Sequence, residues 1–233
     1  MRTRRKVDGR WVALAFSGLL LAACGSTVTH AGAHHAKTAP SSTPATTGRV
    51  THFSSPPPRI IQTGRQYTAT VKTSLGSFVI HLFAKRDPTA VNNFVFLADH
   101  KFFNTDRIFR VLKSFVFQTG DPQNTGVGGP GYGIPAELPI TVPYAPGVVA
   151  YAHTATSNDY GSQFFVCTGS SSSQLNSTPT YTEIGQVTAG MSVVDKIAAV
   201  PVKVNPITQE DSLPVSPVTI FSVTISSQPA SGS

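Results

Sequence analysis

Apolar and polar residues alternate with a period of two in two neighbouring segments, Tyr67 to Ser74 and Ser77 to Phe83. Such alternation is typical of β-strands that bury one face and expose the other. Gly76 lies between the two segments, where a glycine makes a tight turn easy to form. The pattern therefore predicts an antiparallel β-hairpin.

Two other segments have the three- and four-residue spacing of a helix. Asp87 and Pro88 begin the first, because Asp suits the N-cap and Pro suits the first helical turn. Its apolar face consists of Val91, Phe94, Val95 and Ala98. The second, about Ala189 to Ala199, carries Met191, Val194, Ile197 and Ala198 on one side. We expect two amphipathic α-helices.

Short apolar runs predict further strands. Residues 107–132 contain two such runs, and the others are Gly147 to Ala152, Gln163 to Cys167, Tyr181 to Val187 and Val218 to Ile225. The proline-rich segment from Pro201 to Pro217 is expected to be a loop. The chain has 18 Pro and 19 Gly in 233 residues, which favours many turns and short strands. The first expectation is an all-β protein.

The N-terminal residues have the pattern of an export signal. A basic segment precedes an apolar run from Trp11 to Ala23, which is too short for a permanent membrane-spanning helix. Leu21-Ala22-Ala23-Cys24 resembles the bacterial lipobox, in which the thiol is acylated and the chain is cut before the Cys. We expect a lipoprotein signal peptide at residues 1–23 and lipidation of Cys24. The alternative is an ordinary cleaved signal in which Cys24 has no role.

Residues 24–63 have the composition of a lipid-attached, disordered linker. Ser, Thr, Pro, Ala and His dominate without any periodicity. His30, His34 and His35 could bind a metal, but no Cys, Asp or Glu of this segment joins them beyond Cys24. A solvated tether that holds a folded domain away from a membrane is the favoured interpretation.

The net charge of +7 gives little support to nucleic-acid binding. Five of the 18 basic residues and one of the 11 acidic residues precede Cys24, which leaves 13 against 10, or +3. These charges form no basic cluster, so we expect no nucleic-acid partner.

Polar residues interrupt the apolar runs of residues 107–132, RIFRVLKSFVFQTGDPQNTGVGGPGY. Arg110 and Gln118 stand among aromatic and β-branched residues, before a glycine-rich turn. An Arg-Val pair, a Phe five residues after the Arg, a Gln eight after it, then Gly-Asp-Pro and Gly-x-Gly-Gly-Pro-Gly-Tyr resemble the signature of the cyclophilins, which are peptidyl-prolyl cis/trans isomerases. DPTAVNNFVFLADHKFF and GSQFFVCTG resemble two further segments of that family.

This resemblance covers about residues 65–226 and implies a closed, eight-stranded antiparallel β-barrel with two capping α-helices. We place the isomerase domain at residues 64–228, followed by a short tail at 229–233. A closed sheet has no exposed edge strands, which suits an exported protein without disulfides. Cys167 lies in an apolar strand, so we expect it to be a small buried hydrophobic residue.

The chemistry of this activity is rotation about an X-Pro bond, whose barrier is about 18 to 20 kcal/mol. Catalysis needs a dry pocket for the proline ring and a fixed donor aimed at the prolyl nitrogen. A guanidinium suits the donor role because it stays charged, is planar and is weakly hydrated. In the cyclophilins this donor is the Arg of the Arg-Val pair, so the resemblance implies that Arg110 is catalytic, with Gln118 as its partner.

The resemblance also implies a set of substrate-binding residues. The pocket is expected to consist of Phe115, Val116, Phe165, Leu175 and Tyr181. Gln118 and Gln163 would be hydrogen-bond partners for the substrate backbone and for Arg110, and the backbone of Ala152, His153 and Thr154 would pair with an extended peptide. Period-two parity places Val116 and Gln118 on one face, so Phe115 must precede the regular part of its strand. No cofactor or metal ion is implied.

Three residues depart from the family pattern. Val116 stands where many members have Met, and Tyr181 stands where eukaryotic members commonly have His. Gln174 occupies a position where a Trp often supports cyclosporin binding, so we expect reduced affinity for cyclosporin. His153 replaces the usual Asn, a change that is tolerable if the backbone makes the contact.

Simpler interpretations exist for the individual residues. An isolated Arg in a strand usually faces solvent, and Phe115, Phe165 and Leu175 taken singly would be assigned to the core. The glycines of residues 128–133 could form a phosphate-binding loop, but no Lys-Ser/Thr pair and helix follow. Only the joint spacing of these residues favours the isomerase site.

Two functions are consistent with these features. The first is a monomeric isomerase, lipid-anchored to the outer side of the cell membrane, that accelerates folding of exported, proline-containing polypeptides. The alternative is a non-catalytic chaperone or adhesion module that uses the same groove to bind proline-containing segments. The joint presence of Arg110, Gln118 and Phe165 favours the enzyme, because a pure binding module has no need of a donor for the prolyl nitrogen.

Overall fold

The computed structural model describes residues 48–153 and 160–230. The compact unit that contains them begins at Gly48. Its elements, in chain order, are β1 (Arg65–Thr73), β2 (Gly76–Leu82), α1 (Pro88–Asp99), β3 (Arg110–Leu112), β4 (Val116–Thr119), β5 (Val148–Tyr151), β6 (Phe164–Cys167), a 3-10 helix (Ser170–Ser177), β7 (Glu183–Ala189), α2 (Met191–Ala198), β8 (Val202–Val204), β9 (Asp211–Pro214) and β10 (Ile220–Pro229). No helix within these ranges has the length and apolar character needed to cross a membrane.

Eight strands form one antiparallel sheet in the order β10-β1-β2-β7-β5-β6-β4-β3. The backbone N–H of Thr105 donates to the carbonyl of Ile220 at 2.8 Å, and that of Ile108 donates to Val218 at 2.9 Å. These bonds connect the segment before β3 with the start of β10. Within the described residues, the strand order itself ends at β3 and β10, so full closure of the barrel stays a prediction. The mostly-β fold and both α-helices are confirmed, and the 3-10 helix is an addition.

The predicted hairpin is confirmed as β1 and β2, which pair from Tyr67 opposite Leu82 to Thr73 opposite Gly76. Their buried positions alternate, as the sequence pattern requires. β7 begins at Glu183, two residues later than expected, because the N–H groups of Tyr181 and Thr182 donate to tyrosine hydroxyls instead of to a strand.

Helix α1 begins at Pro88 as predicted, but Asp87 does not cap it through its side chain. The carboxylate of Glu137 accepts from the N–H of Thr89 at 3.0 Å and of Ala90 at 2.8 Å. A residue distant in sequence therefore satisfies the first-turn donors, which local spacing could not indicate. The apolar side of α1 packs on the core, where Phe94 makes an edge contact with Phe164 at 5.4 Å between ring centroids.

The proline-rich segment is not simply a loop, and that prediction was wrong. Strands β8 and β9 form a separate two-stranded sheet within it. Pro206 lies in the connecting turn, while Pro214 ends β9, so neither interrupts the interior of a strand. The turn is held by the N–H of Asn205, which donates to the carbonyl of Glu210 at 2.8 Å.

Residues 48–63, the described part of the expected linker, lie against the domain. The Phe53 ring contacts Phe96 at 4.9 Å between centroids, and the Phe53 N–H donates to the carbonyl of Pro130 at 2.8 Å. Further along, the Asn92 side chain accepts from the N–H of Ile60 at 2.7 Å. This segment is therefore part of the folded unit. The remainder of the linker, Cys24 and the signal segment lie outside the described residues.

Candidate active site

The site lies on the outer face of β4, β5 and β6. Alternate residues of these strands, such as Phe117 and Phe164, enter the main hydrophobic core. The residues between them, Val116, Ala150 and Phe165, belong to a second apolar cluster on the opposite face. This is the period-two alternation of a sheet with apolar residues on both sides. The expectation that Val116 and Phe165 lie together is consistent with this arrangement.

The second cluster is an apolar surface with buried and partly buried members, which we call the groove. Its buried members are Val116, Tyr144, Val148, Ala150, Phe165 and Cys167, and its partly buried members are Phe115, Ile140, Val142, Ala152, Leu175 and Tyr181. The Tyr181 ring stands nearly perpendicular to Phe165, at 5.3 Å between centroids and 89° between planes. Cys167 is buried as expected, and burial raises the pKa of its thiol to about 12.

Tyr144, which the sequence did not single out, positions Tyr181. Its hydroxyl donates to the carbonyl of Tyr181 at 2.6 Å and accepts from the Tyr181 N–H at 2.9 Å. Tyr144 itself is buried. Burial also raises the pKa of the Tyr181 hydroxyl, although the positive charge of Arg110 opposes that effect. Both phenols therefore remain neutral at physiological pH.

A row of polar side chains runs beside this groove. Arg110 and Gln118 are opposite each other in the β3–β4 pairing, and Nη1 of Arg110 donates to Oε1 of Gln118 at 3.3 Å. Nε2 of Gln118 donates to Oε1 of Gln163 at 2.9 Å, and Nε2 of Gln163 donates to the carbonyl of Gly128 at 2.9 Å. These hydrogen bonds therefore fix the orientation of the Gln118 and Gln163 side-chain amides, with each oxygen accepting and each nitrogen donating.

Arg110 is not a simple solvent-facing charge, since only 26% of its side chain is exposed. Its second partner is Glu210, at the end of the β8–β9 turn. Nε of Arg110 donates to Oε2 of Glu210 at 2.7 Å, and Nη2 donates to Oε1 at 3.0 Å. Partial burial raises the pKa of the Glu210 carboxyl, but the hydrogen bonds and charge of Arg110 outweigh it and hold that pKa below its usual value.

The glycine-rich turn is organised around the carboxylate of Asp121. Oδ2 accepts from the N–H of Thr125 at 2.8 Å and of Gly126 at 2.6 Å. Burial raises the pKa of Asp121, but backbone hydrogen bonds from Gln123, Gly128, Thr125 and Gly126 outweigh it, so the pKa is lowered overall. A Cβ at Gly128 would lie 1.9 Å from Oδ1 of Asp121, so glycine is required there. Because an internal carboxylate occupies these donors, the phosphate-loop alternative is disfavoured.

The remaining residues of the expected site lie at the margins of the groove. β4 begins at Val116, so Phe115 precedes the regular strand, as parity requires. The His153 ring stacks on Tyr181 at 4.7 Å and 28°. The N–H of Ala152 donates to the carbonyl of Gln163 at 2.9 Å, so a peptide would have to use other backbone groups of this segment. Thr154 lies outside the described residues.

Sequence reasoning identified the apolar and amide residues of the site but missed Tyr144 and Glu210. Tyr144 lies in a proline-containing segment with no strand or helix period. Glu210 is 100 residues from Arg110. No local spacing connects these residues with the site, because only the packing of distant segments brings them there.

Known proteins resemble this chain in sequence. A sequence model for one family, described as cyclophilin type peptidyl-prolyl cis-trans isomerase/CLD, matches residues 68–225. A peptidyl-prolyl cis-trans isomerase of Helicobacter pylori is 39% identical over 136 residues, covering 55% of this chain and 78% of that protein. Peptidyl-prolyl cis-trans isomerase-like 3 of Dictyostelium discoideum is 32% identical over 166 residues, covering 70% and 97%.

Two crystal structures of one protein are similar to this chain in fold. A cyclophilin type peptidyl-prolyl cis-trans isomerase of Cryptosporidium parvum is similar with a TM-score of 0.62 and 26% identity, covering 70% of this chain and 99% of that chain. A second crystal structure of that protein, in the presence of the dipeptide Ala-Pro, has a TM-score of 0.61 and 25% identity, covering 68% and 98%.

Proposed function

The chain belongs to the cyclophilin-type peptidyl-prolyl cis-trans isomerases, and from this premise we propose that its apolar groove holds the proline ring while Arg110 stabilises the twisted amide. The observation that carries this assignment is the position of the Arg110, Gln118 and Gln163 row beside the groove. A cationic donor and an apolar proline site are the two parts that this reaction needs.

The mechanism follows from amide resonance. As the X-Pro bond twists, the lone pair of the prolyl nitrogen is released from conjugation and can accept a hydrogen bond. An N–H of Arg110 that reaches this nitrogen stabilises the twisted state more than the planar one, which is the requirement for catalysis. An acceleration on the order of 10⁵ requires about 7 kcal/mol of such selective stabilisation.

Substrate binding combines apolar contact with backbone pairing. Val116, Phe165 and Tyr181 offer an apolar surface to the ring, and Leu175 and Phe115 extend it. Gln163 and the backbone of residues 152–154 would hold the flanking peptide. The Cryptosporidium relative was crystallised in the presence of Ala-Pro, which supports a proline-containing peptide as the ligand class here.

The biological setting belongs to the same proposal. The N-terminal pattern supports export and lipidation of Cys24, so the domain would work at the outer side of the cell membrane as a monomer on unfolded exported proteins. In this setting a fully closed barrel would protect the edge strands β3 and β10.

The competing function is a non-catalytic module that binds proline-containing segments in the same groove. Both functions use Val116, Phe165 and Tyr181, so binding alone does not distinguish them. The fixed guanidinium favours the enzyme, because a ligand that is only held gains nothing from a donor matched to a twisted amide.

Replacement of Arg110 tests the assignment. Arg110→Ala should lower isomerisation of a proline-containing peptide by orders of magnitude, and Arg110→Lys should recover little, because a compact ammonium does not reproduce the planar fork. Turnover is measured in a protease-free assay, and circular dichroism confirms that each variant is folded. Unchanged turnover in folded Arg110→Ala would falsify the catalytic role.

A further inference from the structure

Glu210 forms a two-point contact with Arg110, the proposed donor of the reaction. The paired atoms are Nε with Oε2 at 2.7 Å and Nη2 with Oε1 at 3.0 Å. This is the fork geometry in which arginine and carboxylate hold each other most firmly. We propose that Glu210 is a positioning residue that fixes the guanidinium plane of Arg110 for isomerisation, a role that rests on the proposed function.

The donors of Arg110 explain why a positioning residue is useful. A guanidinium has five N–H donors, of which Glu210 receives one from Nε and one from Nη2. Gln118 receives one from Nη1, at the longer distance of 3.3 Å. The other two N–H groups are one on Nη1 and one on Nη2. Glu210 therefore occupies one edge of the guanidinium and leaves donors on Nη1 and Nη2 for a substrate.

Without Glu210, Gln118 would be the remaining hydrogen-bond partner of the Arg110 side chain within residues 48–153 and 160–230. A long arginine side chain has many rotamers, and a single 3.3 Å hydrogen bond leaves rotation of the guanidinium plane weakly restrained. Misplacement of a reacting group by about 1 Å can cost up to about 100-fold in rate. Fixing Arg110 before the substrate binds removes this loss from the catalytic step.

The position of Glu210 is itself determined by the fold. It ends the turn of the β8–β9 hairpin, where its carbonyl accepts from the N–H of Asn205. Strand β9 packs against β3, the strand that contains Arg110. The hairpin thus carries a carboxylate to the edge of the site from a segment outside the groove.

The negative charge of Glu210 has an effect on catalysis that opposes its positioning role. It partly offsets the positive charge of Arg110, and this weakens the field at the prolyl nitrogen. If that effect dominated, Glu210 would restrain the enzyme instead of assisting it. We expect positioning to dominate, because the hydrogen bond to the prolyl nitrogen depends on the direction of a single N–H.

The experiment compares the full chain with Glu210→Ala, Glu210→Gln and the control Asp211→Asn. Asp211 is an exposed carboxyl in the same hairpin, so its replacement changes the charge by the same amount as Glu210→Gln. Glu210→Ala should lower kcat about tenfold with KM changed by less than about twofold, and Glu210→Gln, which keeps one acceptor oxygen, should recover part of that loss. Asp211→Asn should match the wild type.

Nitrogen-15 NMR reports on the Arg110–Glu210 hydrogen bond itself, which an activity measurement does not. The Nε–H of Arg110 should give a resonance protected from solvent exchange in the wild type, assigned by its absence in Arg110→Lys. That protection should disappear in Glu210→Ala while the melting temperature shows that the variant is folded.

The outcomes separate this inference from the proposed function. A wild type without isomerase activity refutes the proposed function and this inference together. An active wild type whose kcat is unchanged or raised in Glu210→Ala refutes the inference alone. A tenfold loss in Asp211→Asn would also refute it, since the effect would then come from the charge of the hairpin.

Discussion

Asp106 is fully buried, and within the described residues only one of its two carboxyl oxygens has a partner, the guanidinium of Arg49. Burial raises the pKa of this carboxyl from 3.8 to about 7, although the charge of Arg49 opposes the change. At a pH between these two values, Asp106 is therefore protonated in the folded protein and ionised in the unfolded chain. We predict that Asp106 makes the folding stability fall as pH rises from about 4 to about 7.

The size of this effect follows from the pKa difference. One pKa unit corresponds to about 1.4 kcal/mol, so a change from 3.8 to about 7 amounts to roughly 4 kcal/mol in total. Part of this contribution to folding stability is already lost at about pH 5.5. Between about pH 5.5 and pH 8.5 the remaining loss is about 2 kcal/mol, and above the folded pKa the contribution is constant.

Urea unfolding of the wild type and of Asp106→Asn at several pH values measures this difference directly. The amide cannot ionise, so the wild type should lose about 2 kcal/mol relative to Asp106→Asn across that range. Asp195→Asn, which replaces an exposed carboxyl on α2, is the control and should follow the wild type. A wild type that becomes more stable with rising pH, relative to Asp106→Asn, would show that the Arg49 ion pair outweighs burial and would refute this reasoning.

Three further predictions concern the anchor, drug binding and pH. Cys24→Ser should release the protein from membranes or block its maturation, and a palmitate analogue that still labels this variant would contradict the lipid anchor. Cyclosporin should bind more tightly to Gln174→Trp than to the wild type, because an indole adds apolar contact, and equal affinities by calorimetry would exclude that explanation. Turnover per folded molecule should be nearly flat from about pH 5.5 to 9, because the proposed mechanism uses a hydrogen-bond donor and an apolar surface and no general acid or base. A steep loss of kcat below about pH 7 in folded enzyme would contradict this prediction, because it would show that an acid or base takes part in the reaction.

Short apolar runs were enough to predict the strands that form the groove, and period-two parity assigned side chains to the two faces of β4. Val116 and Gln118 share one face while Phe117 enters the core, because side-chain direction in a strand depends only on parity. The same reasoning placed Phe115 before the regular strand. These predictions succeed because successive residues of a strand point to opposite faces of the sheet, so the sequence order alone assigns each residue to a face.

Contacts between distant segments could not be predicted in this way. Glu137 caps α1 in place of Asp87, and Glu210 reaches Arg110 from a hairpin that the prolines had suggested was a loop. The docking of Phe53 on α1 was hidden by the low-complexity composition around it. In each case the partner is selected by packing in three dimensions, and neither residue alone carries a local pattern.

Exchange NMR on a peptide that contains Ala-Pro tests the central claim most directly, because one experiment reports both binding and isomerisation. Uncatalysed exchange takes about 10 to 100 s, so it produces no cross-peaks between the cis and trans signals on a sub-second timescale. The wild type should produce these cross-peaks, whereas folded Arg110→Ala should still shift the peptide resonances without producing them. A wild type that shifts the resonances without exchange, or an Arg110→Ala variant that catalyses exchange at the wild-type rate, would contradict a mechanism in which Arg110 stabilises the twisted prolyl bond.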